Sequence, residues 1–166
     1  MVDRPAGSVL SKRRALALAA LGLSLVGAGE PIELETQAGR PVALALEAGE
    51  RALLVHFWAT WCAECVEELP ILAAAIARCG EAGVRIVTAN VGEEPEHVAD
   101  FLERHRLDLP VLRDPKARAW RTLGGVGLPT NAVLTGEGRR VEVGARDART
   151  WSEALAQLGC PPEATP

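Results

Sequence analysis

The stretch Trp58-Ala59-Thr60-Trp61-Cys62-Ala63-Glu64-Cys65 constrains this chain more than any other. The apolar run Ala52-Leu53-Leu54-Val55 leads into it, and an amphipathic segment, Val66 to Arg78, leads out. That order predicts a buried strand, a sharp turn, and a helix whose first turn carries both cysteines. A C-x-x-C spacing serves dithiol–disulfide exchange, half of a zinc site, or attachment of a c-type haem. Haem attachment requires a His directly after the second Cys, and Val66 stands there. A structural zinc needs two further closely spaced ligands, and the sequence has no second C-x-x-C or H-x-H pair. Redox chemistry is the leading reading, with no metal and no cofactor beyond a Cys62–Cys65 disulfide.

The 166 residues suffice for one domain with a full core, and 48% apolar with 24% charged residues is ordinary for a globular chain. The net charge of −4, without a basic stripe or aromatic ladder, argues against nucleic acid as a partner. Four cysteines are too few for a disulfide scaffold; Cys79 and Cys160 stand apart from the pair.

Residues 1–28 read as a signal peptide or membrane anchor. Lys12-Arg13-Arg14 is a positive region, residues 15–28 are uncharged and rich in Ala and Leu, and Val26-Gly27-Ala28 has the small residues of a cleavage site. Arg13-Arg14 also fits, less well, a twin-arginine signal. Either way the folded part, residues 29–160 with a tail over 161–166, is expected outside the cytoplasm, in the periplasm or an equivalent space where disulfides persist.

Ile32 to Leu46 reads as a hairpin turning at Gln37-Ala38-Gly39-Arg40, and Ala52 to Phe57 as a strand buried on both faces. The helix from Cys62 carries Leu69, Leu72, Ile76 and Cys79 on one stripe, with Pro70 inside it. Val84 to Val91 is the next strand, and Pro95 opens a helix. Leu109 to Leu112 is a short extended piece, and Asp114-Pro115 opens a further helix that Gly124-Gly125 stops. Asn131 to Leu134 and Arg140 to Val143 form a hairpin, and Trp151, Leu155 and Leu158 mark a last helix. Strands alternating with helices, then a closing hairpin and helix, predict an α/β fold: a mixed central sheet with helices on both faces.

Phe57-Trp58-Ala59-Thr60-Trp61-Cys62-x-x-Cys65 with Pro70 following, and Leu128-Pro129-Thr130 further on, resemble the thioredoxin fold. Glu68, the run Asn90-Val91-Gly92-Glu93, and a helix–strand insert from Pro95 to Leu112 narrow the likeness to the TlpA/ResA-like branch of extracytoplasmic thiol–disulfide oxidoreductases. It spans Ile32 to Gly159. The chain departs from that branch at Glu64, where a Pro is usual, and from thioredoxins at His56, where an Asp is usual; both positions bear on redox potential and partner choice.

Cys62 at the helix N-terminus is the expected nucleophile, and Cys65 the resolving thiol. A carboxylate at Glu64 disfavours thiolate in both and points to a reductant, unless it is only a solvated surface charge. The resemblance implies an acid/base role for Glu68, against the alternative of an exposed helix residue, which suits Glu67 better. His56 is a candidate for proton transfer, or else a hydrogen-bonded core residue. The resemblance places a cis bond before Pro129 and sets the Leu128 backbone beside the sulfurs, to pair with an extended substrate segment; Trp61, next to Cys62, walls the substrate surface or else, like Trp58, is plain core, while Trp120 and Trp151 read as core. It also sets the C-termini of the first and last helices side by side, so Cys79 and Cys160 are candidates for a structural disulfide; the alternative for Cys79 is a buried free thiol.

The expected activity is reduction of disulfides in other proteins, with a membrane thiol as electron donor. The resemblance implies substrates such as apocytochrome c, in cytochrome c maturation, or a copper-site protein. A dithiol oxidase of the same fold and a copper-binding chaperone are the alternatives; a peroxidase would need its reactive Cys in another loop.

Overall fold

The computed structural model describes residues 30–163. The expectations for residues 1–28 lie outside that range. The elements are β1 (Ile32–Glu35), β2 (Pro41–Leu44), β3 (Ala52–Trp58), α1 (Ala63–Glu81), β4 (Val84–Val91), α2 (Pro95–His105), β5 (Val111–Asp114), α3 (Arg118–Thr122), β6 (Thr130–Thr135), β7 (Gly138–Val143) and α4 (Ala148–Gln157).

The strands form one seven-stranded sheet in the order β2-β1-β5-β4-β3-β6-β7. β3 pairs in parallel with β4 and antiparallel with β6, so neither of its edges is free. All its residues are buried, as the mostly apolar run, interrupted only by His56, leads one to expect of a central strand. Alternation along β3 separates two cores. Leu53, Val55 and Phe57 face the layer formed by the N-terminal hairpin and α3. Ala52 and Leu54 face α1 and α4, packing with Leu72, Ala75, Trp151 and Leu155. A third cluster, Trp58, Cys65, Leu69, Val98 and Phe101, joins the start of α1 to α2. This is the mixed sheet with helices on both faces, the N-terminal hairpin and the helix–strand insert of a thioredoxin fold.

Boundaries moved where side chains intervene. Cys62 caps α1 and is not its first residue, and the helix runs on through Pro70. The helix expected from Asp114 starts only at Arg118, and the strand before it runs on to Asp114. The reason is local. Pro115 offers no amide, and the Asp114 carboxylate reaches forward to accept the Arg118 and Trp120 amides at 2.7 and 2.9 Å, acting as a cap from outside the helix.

β7 runs parallel to β3, being two antiparallel steps away through β6, so α1 and α4 point the same way and end together. Cys79 near the end of α1 and Cys160 just past α4 are joined by a disulfide, with their Cα atoms 4.6 Å apart and both residues buried. Arg78 Nε donates to the Pro161 carbonyl at 3.1 Å, which ties down the chain beyond it.

Closing an 81-residue separation this way stabilises by at most about 4.5 kcal/mol in the chain-entropy view. Replacing Cys79 and Cys160 together by Ala is therefore expected to lower the unfolding free energy by up to that amount, read by chemical denaturation. A peptide map of the unreduced protein should recover Cys79 linked to Cys160, and two free thiols in denatured, oxidised protein would contradict the bond.

Candidate active site

The site lies where β3 leaves the sheet. After Trp58 the chain turns through Ala59-Thr60-Trp61, and the Cys62 amide closes the turn on the Ala59 carbonyl at 3.1 Å. Glu93, just past β4, holds the turn from beside it. Its carboxylate accepts the Thr60 amide at 2.7 Å and the Thr60 hydroxyl at 2.6 Å, and Asn90 Nδ2 donates to it at 2.7 Å. His97 Nε2 lies 3.0 Å from the same hydroxyl. Sequence reasoning singled out Asn90 to Glu93 only as a family mark; its contact with Thr60 joins residues 33 apart and leaves no local signature.

Cys62 and Cys65 are joined by a disulfide with Cα atoms 5.3 Å apart. Cys62 Sγ accepts the Cys65 amide at 3.3 Å, so the sulfur occupies the N-cap position, where helix amides favour a thiolate. Cys62 retains 8% exposure and Cys65 none, so only the first sulfur is open to a partner, and narrowly. Glu64, between the two cysteines in sequence, is exposed.

Trp61 is 71% exposed. Val126, before Pro129, and Val143, at the end of β7, are the other large exposed apolar residues among those described. All three belong to segments bounding the Cys62 end. The Leu128–Pro129 bond is cis. The Pro129 carbonyl accepts the Gly144 amide at 3.0 Å, continuing the β6–β7 ladder. In an antiparallel ladder successive residues bond to opposite sides, so Leu128 turns its N–H and C=O toward the β3 side. β3 has ended there, which leaves that backbone open beside the disulfide.

Behind the sulfurs lies a buried polar group. Alternation along β3 puts His56 on the α1/α4 face, and register puts it directly opposite Asn131 on β6. His56 Nδ1 lies 2.9 Å from Asn131 Oδ1 and 3.6 Å from Glu68 Oε2. Glu68 is 1% exposed, whereas Glu67 is exposed, so helical phase separates the two carboxylates. One Glu68 oxygen accepts the Arg146 amide; the other has no hydrogen-bond partner, and neither has His56 Nε2. Burial pushes the Glu68 carboxyl up to about 7, against the opposing pull of the Arg146 amide, the Trp151 indole and the Arg146 guanidinium, with Glu64 adding a small upward push. Burial pushes His56 down to about 4; the Asn131 hydrogen bond opposes this and the Arg146 charge adds to it. His56 is thus neutral at pH 7, and its contact with Glu68 is not an ion pair.

The structure brings Cys62, Cys65, Glu68, His56, Trp61, Leu128 and Pro129 to one end of the sheet. Cys79 and Cys160 are at the other end, beside the start of β3. Among the described residues no group of three His, Cys, Asp or Glu side chains is placed to hold a metal ion.

Residues 28–139 match the AhpC/TSA family. The chain is 31% identical over 110 residues to the thiol-disulfide oxidoreductase ResA of Bacillus subtilis, an alignment covering 66% of this chain and 61% of that protein. The chain thus spans about three-fifths of that relative's length. It superimposes on the pneumococcal exposed lipoprotein thioredoxin of Streptococcus pneumoniae with a TM-score of 0.59 and 26% identity, over 76% of this chain and 98% of that one. A secreted Mycobacterium tuberculosis disulfide oxidoreductase, at 18% identity and a TM-score of 0.61 over 75% and 94% of the two chains, shares the fold. The chain belongs to the AhpC/TSA family, has the thioredoxin fold, and is similar in sequence to ResA.

Proposed function

We propose that this protein is a thiol–disulfide oxidoreductase that reduces disulfides in other proteins outside the cytoplasm. The observation that carries the reading is a Cys62–Cys65 pair capping α1, with an exposed Trp61 and an open Leu128 backbone on its outer side and a buried carboxyl, Glu68, on its inner side.

The Cys62 thiolate attacks a substrate disulfide. One substrate sulfur leaves as thiolate, and Cys62 is left in a mixed disulfide. Cys65 then gives its proton to the Glu68 carboxylate and attacks the Cys62 sulfur. The second substrate sulfur leaves, and two electrons have passed from the Cys62–Cys65 dithiol to the substrate. Glu68 suits the acceptor role because its proton affinity lies near neutral, where it exchanges protons in either direction. We assign no cofactor to this step: both electrons come from the Cys62–Cys65 dithiol, and Glu68 handles only the proton. Neutral His56, held by Asn131, gives Glu68 a polar neighbour without the full charge of an ion pair.

Re-reduction requires a thiol donor, which we assign to the membrane. The positive and apolar pattern of residues 1–28, the Cys79–Cys160 bond, and the likeness to a secreted protein and to an exposed lipoprotein support a place outside the cytoplasm, with residues 15–28 serving for export or anchoring. The family resemblance of the sequence motifs points to substrates such as apocytochrome c or a copper-site protein, whose cysteines must stay reduced before haem or copper is attached.

Cys65→Ala is expected to accumulate mixed disulfides with substrate proteins and Cys62→Ala to accumulate none; the captured proteins, named by mass spectrometry, identify the substrates. In the reduced protein Cys62 should be alkylated first, and faster labelling of Cys65 would reverse the roles. The midpoint potential of the pair separates reductase from oxidase: a value near −120 mV, that of a strong oxidant, would overturn the direction proposed here.

Glu68 is protonated below about 7 and ionised above it, so the rate of the resolving step should rise through that pH. Glu68→Gln is expected to abolish this inflection with little change in denaturation midpoint, and Glu67→Gln, on the exposed side, to retain it. An unchanged profile in Glu68→Gln would remove Glu68 from the mechanism.

A further inference from the structure

The five-residue helix α3 is too short to hold its place by its own hydrogen bonds. It is fixed from outside, by the buried Asp114 carboxylate on the Arg118 and Trp120 amides. What it delivers is Trp120. The indole N–H donates to Thr130 Oγ1 at 3.1 Å, and the Thr130 hydroxyl donates in turn to the Gly127 carbonyl at 2.6 Å. The Gly125 amide donates to the Trp120 carbonyl at 2.9 Å. Gly125 also lies against the ring so closely that an added Cβ would sit 2.2 Å from Nε1. The segment from Gly125 to Thr130 is therefore tied to one residue, Trp120, at its indole N–H, its ring and its backbone carbonyl, and that segment carries both the exposed Val126 and the open Leu128 backbone.

Packing alone does not account for this. Trp120 lies at the edge of the core formed with Ala119 and Leu123, where apolar packing asks for no indole N–H. The polar links add direction. Thr130 is fully buried, its one proton goes to Gly127 and one of its two lone pairs to the Trp120 indole, and the carbonyl it holds lies one residue before Leu128.

We propose that Trp120 is a positioning residue for substrate: the chain Asp114–Trp120–Thr130–Gly127 sets the height of Leu128 over the Cys62 sulfur, and so decides how well an extended polypeptide pairs there. This rests on the oxidoreductase reading above, but not on the direction of electron flow. A polypeptide partner bonds to the Leu128 backbone as an added strand. A small thiol bonded to Cys62 uses only the sulfur. The clamp should therefore matter for the first partner and much less for the second.

The test uses full-length protein carrying Cys65→Ala, so that a mixed disulfide on Cys62 persists. The glutathione mixed disulfide is equilibrated with a cysteine-containing extended peptide. Glutathione leaves as thiol as the peptide thiol takes its place on Cys62, with no net oxidation. The exchange constant reads peptide preference directly. Adding Trp120→Phe or Thr130→Val is expected to lower it by about 2- to 12-fold, the loss of one hydrogen bond's net contribution. Gly125→Ala, which pushes the loop off the ring from the other side, should lower it in the same direction.

An unchanged constant in folded Trp120→Phe and Thr130→Val proteins overturns the proposal, and Thr130→Val, nearly isosteric, decides alone if Trp120→Phe fails to fold. A parent with no preference for peptide over glutathione overturns it too, because nothing is then positioned. Failure of the reductase reading shows elsewhere, in the midpoint potential and in the absence of captured proteins, so the two failures are distinguishable.

Discussion

β3 is bonded along both edges and covered on both faces, and the placement of the redox pair depends on it. Its ladders to β4 and β6 set the level at which the chain leaves the sheet after Trp58. Glu93 then holds Thr60, one turn of loop later, by hydrogen bonds of 2.6 and 2.7 Å to a carboxylate. Bonds to an ionised acceptor are stronger than neutral ones, and this one engages both the amide and the hydroxyl of a single residue. Cys62 is thereby delivered to the N-cap of α1 by a strand, a clamp and a helix. None of these relies on the disulfide itself, so the same geometry is available to the reduced pair.

The inner side of the site runs against ordinary packing. His56, Asn131 and Glu68 are all buried, and some of their polar atoms lack partners. Such burial costs stability, and a core of apolar residues would be cheaper. The return is chemical: desolvation raises the proton affinity of Glu68 and lowers that of His56, so a carboxyl that exchanges near neutrality sits beside an imidazole that stays uncharged. Stability to bear this comes from the opposite end of the same layer, where the Cys79–Cys160 bond joins α1 to the chain beyond α4.

The outer side obeys a different rule. Large apolar side chains are exposed there, at Trp61, Val126 and Val143, where a monomer has no internal use for them. The Leu128 backbone is open beside them. An extended partner segment would cover the side chains and complete the ladder together, so in the proposed function recognition and chemistry would use opposite faces of the same two cysteines.

What the sequence by itself determined was everything local in period. The mostly apolar run of β3, the turn at Gly39, the C-x-x-C at a strand–helix junction and the stripe along α1 are each legible over a few neighbouring residues, and the fold class follows from their order. Helical phase also distinguished Glu68 from Glu67, since Glu68 shares a face with Cys65. What only the tertiary structure decided were the pairings between distant residues: His56 with Asn131, Thr60 with Glu93, Trp120 with Thr130, and the depth at which Glu68 is buried. Even the start of α3 belongs to this group, because a carboxylate on the preceding strand set it in place of the helix's own propensity. The physical reason is common to all of them. A hydrogen bond between side chains depends on register and crossing geometry to within a fraction of an ångström, and these arise from packing the whole sheet, whereas periodicity records only which way each side chain faces.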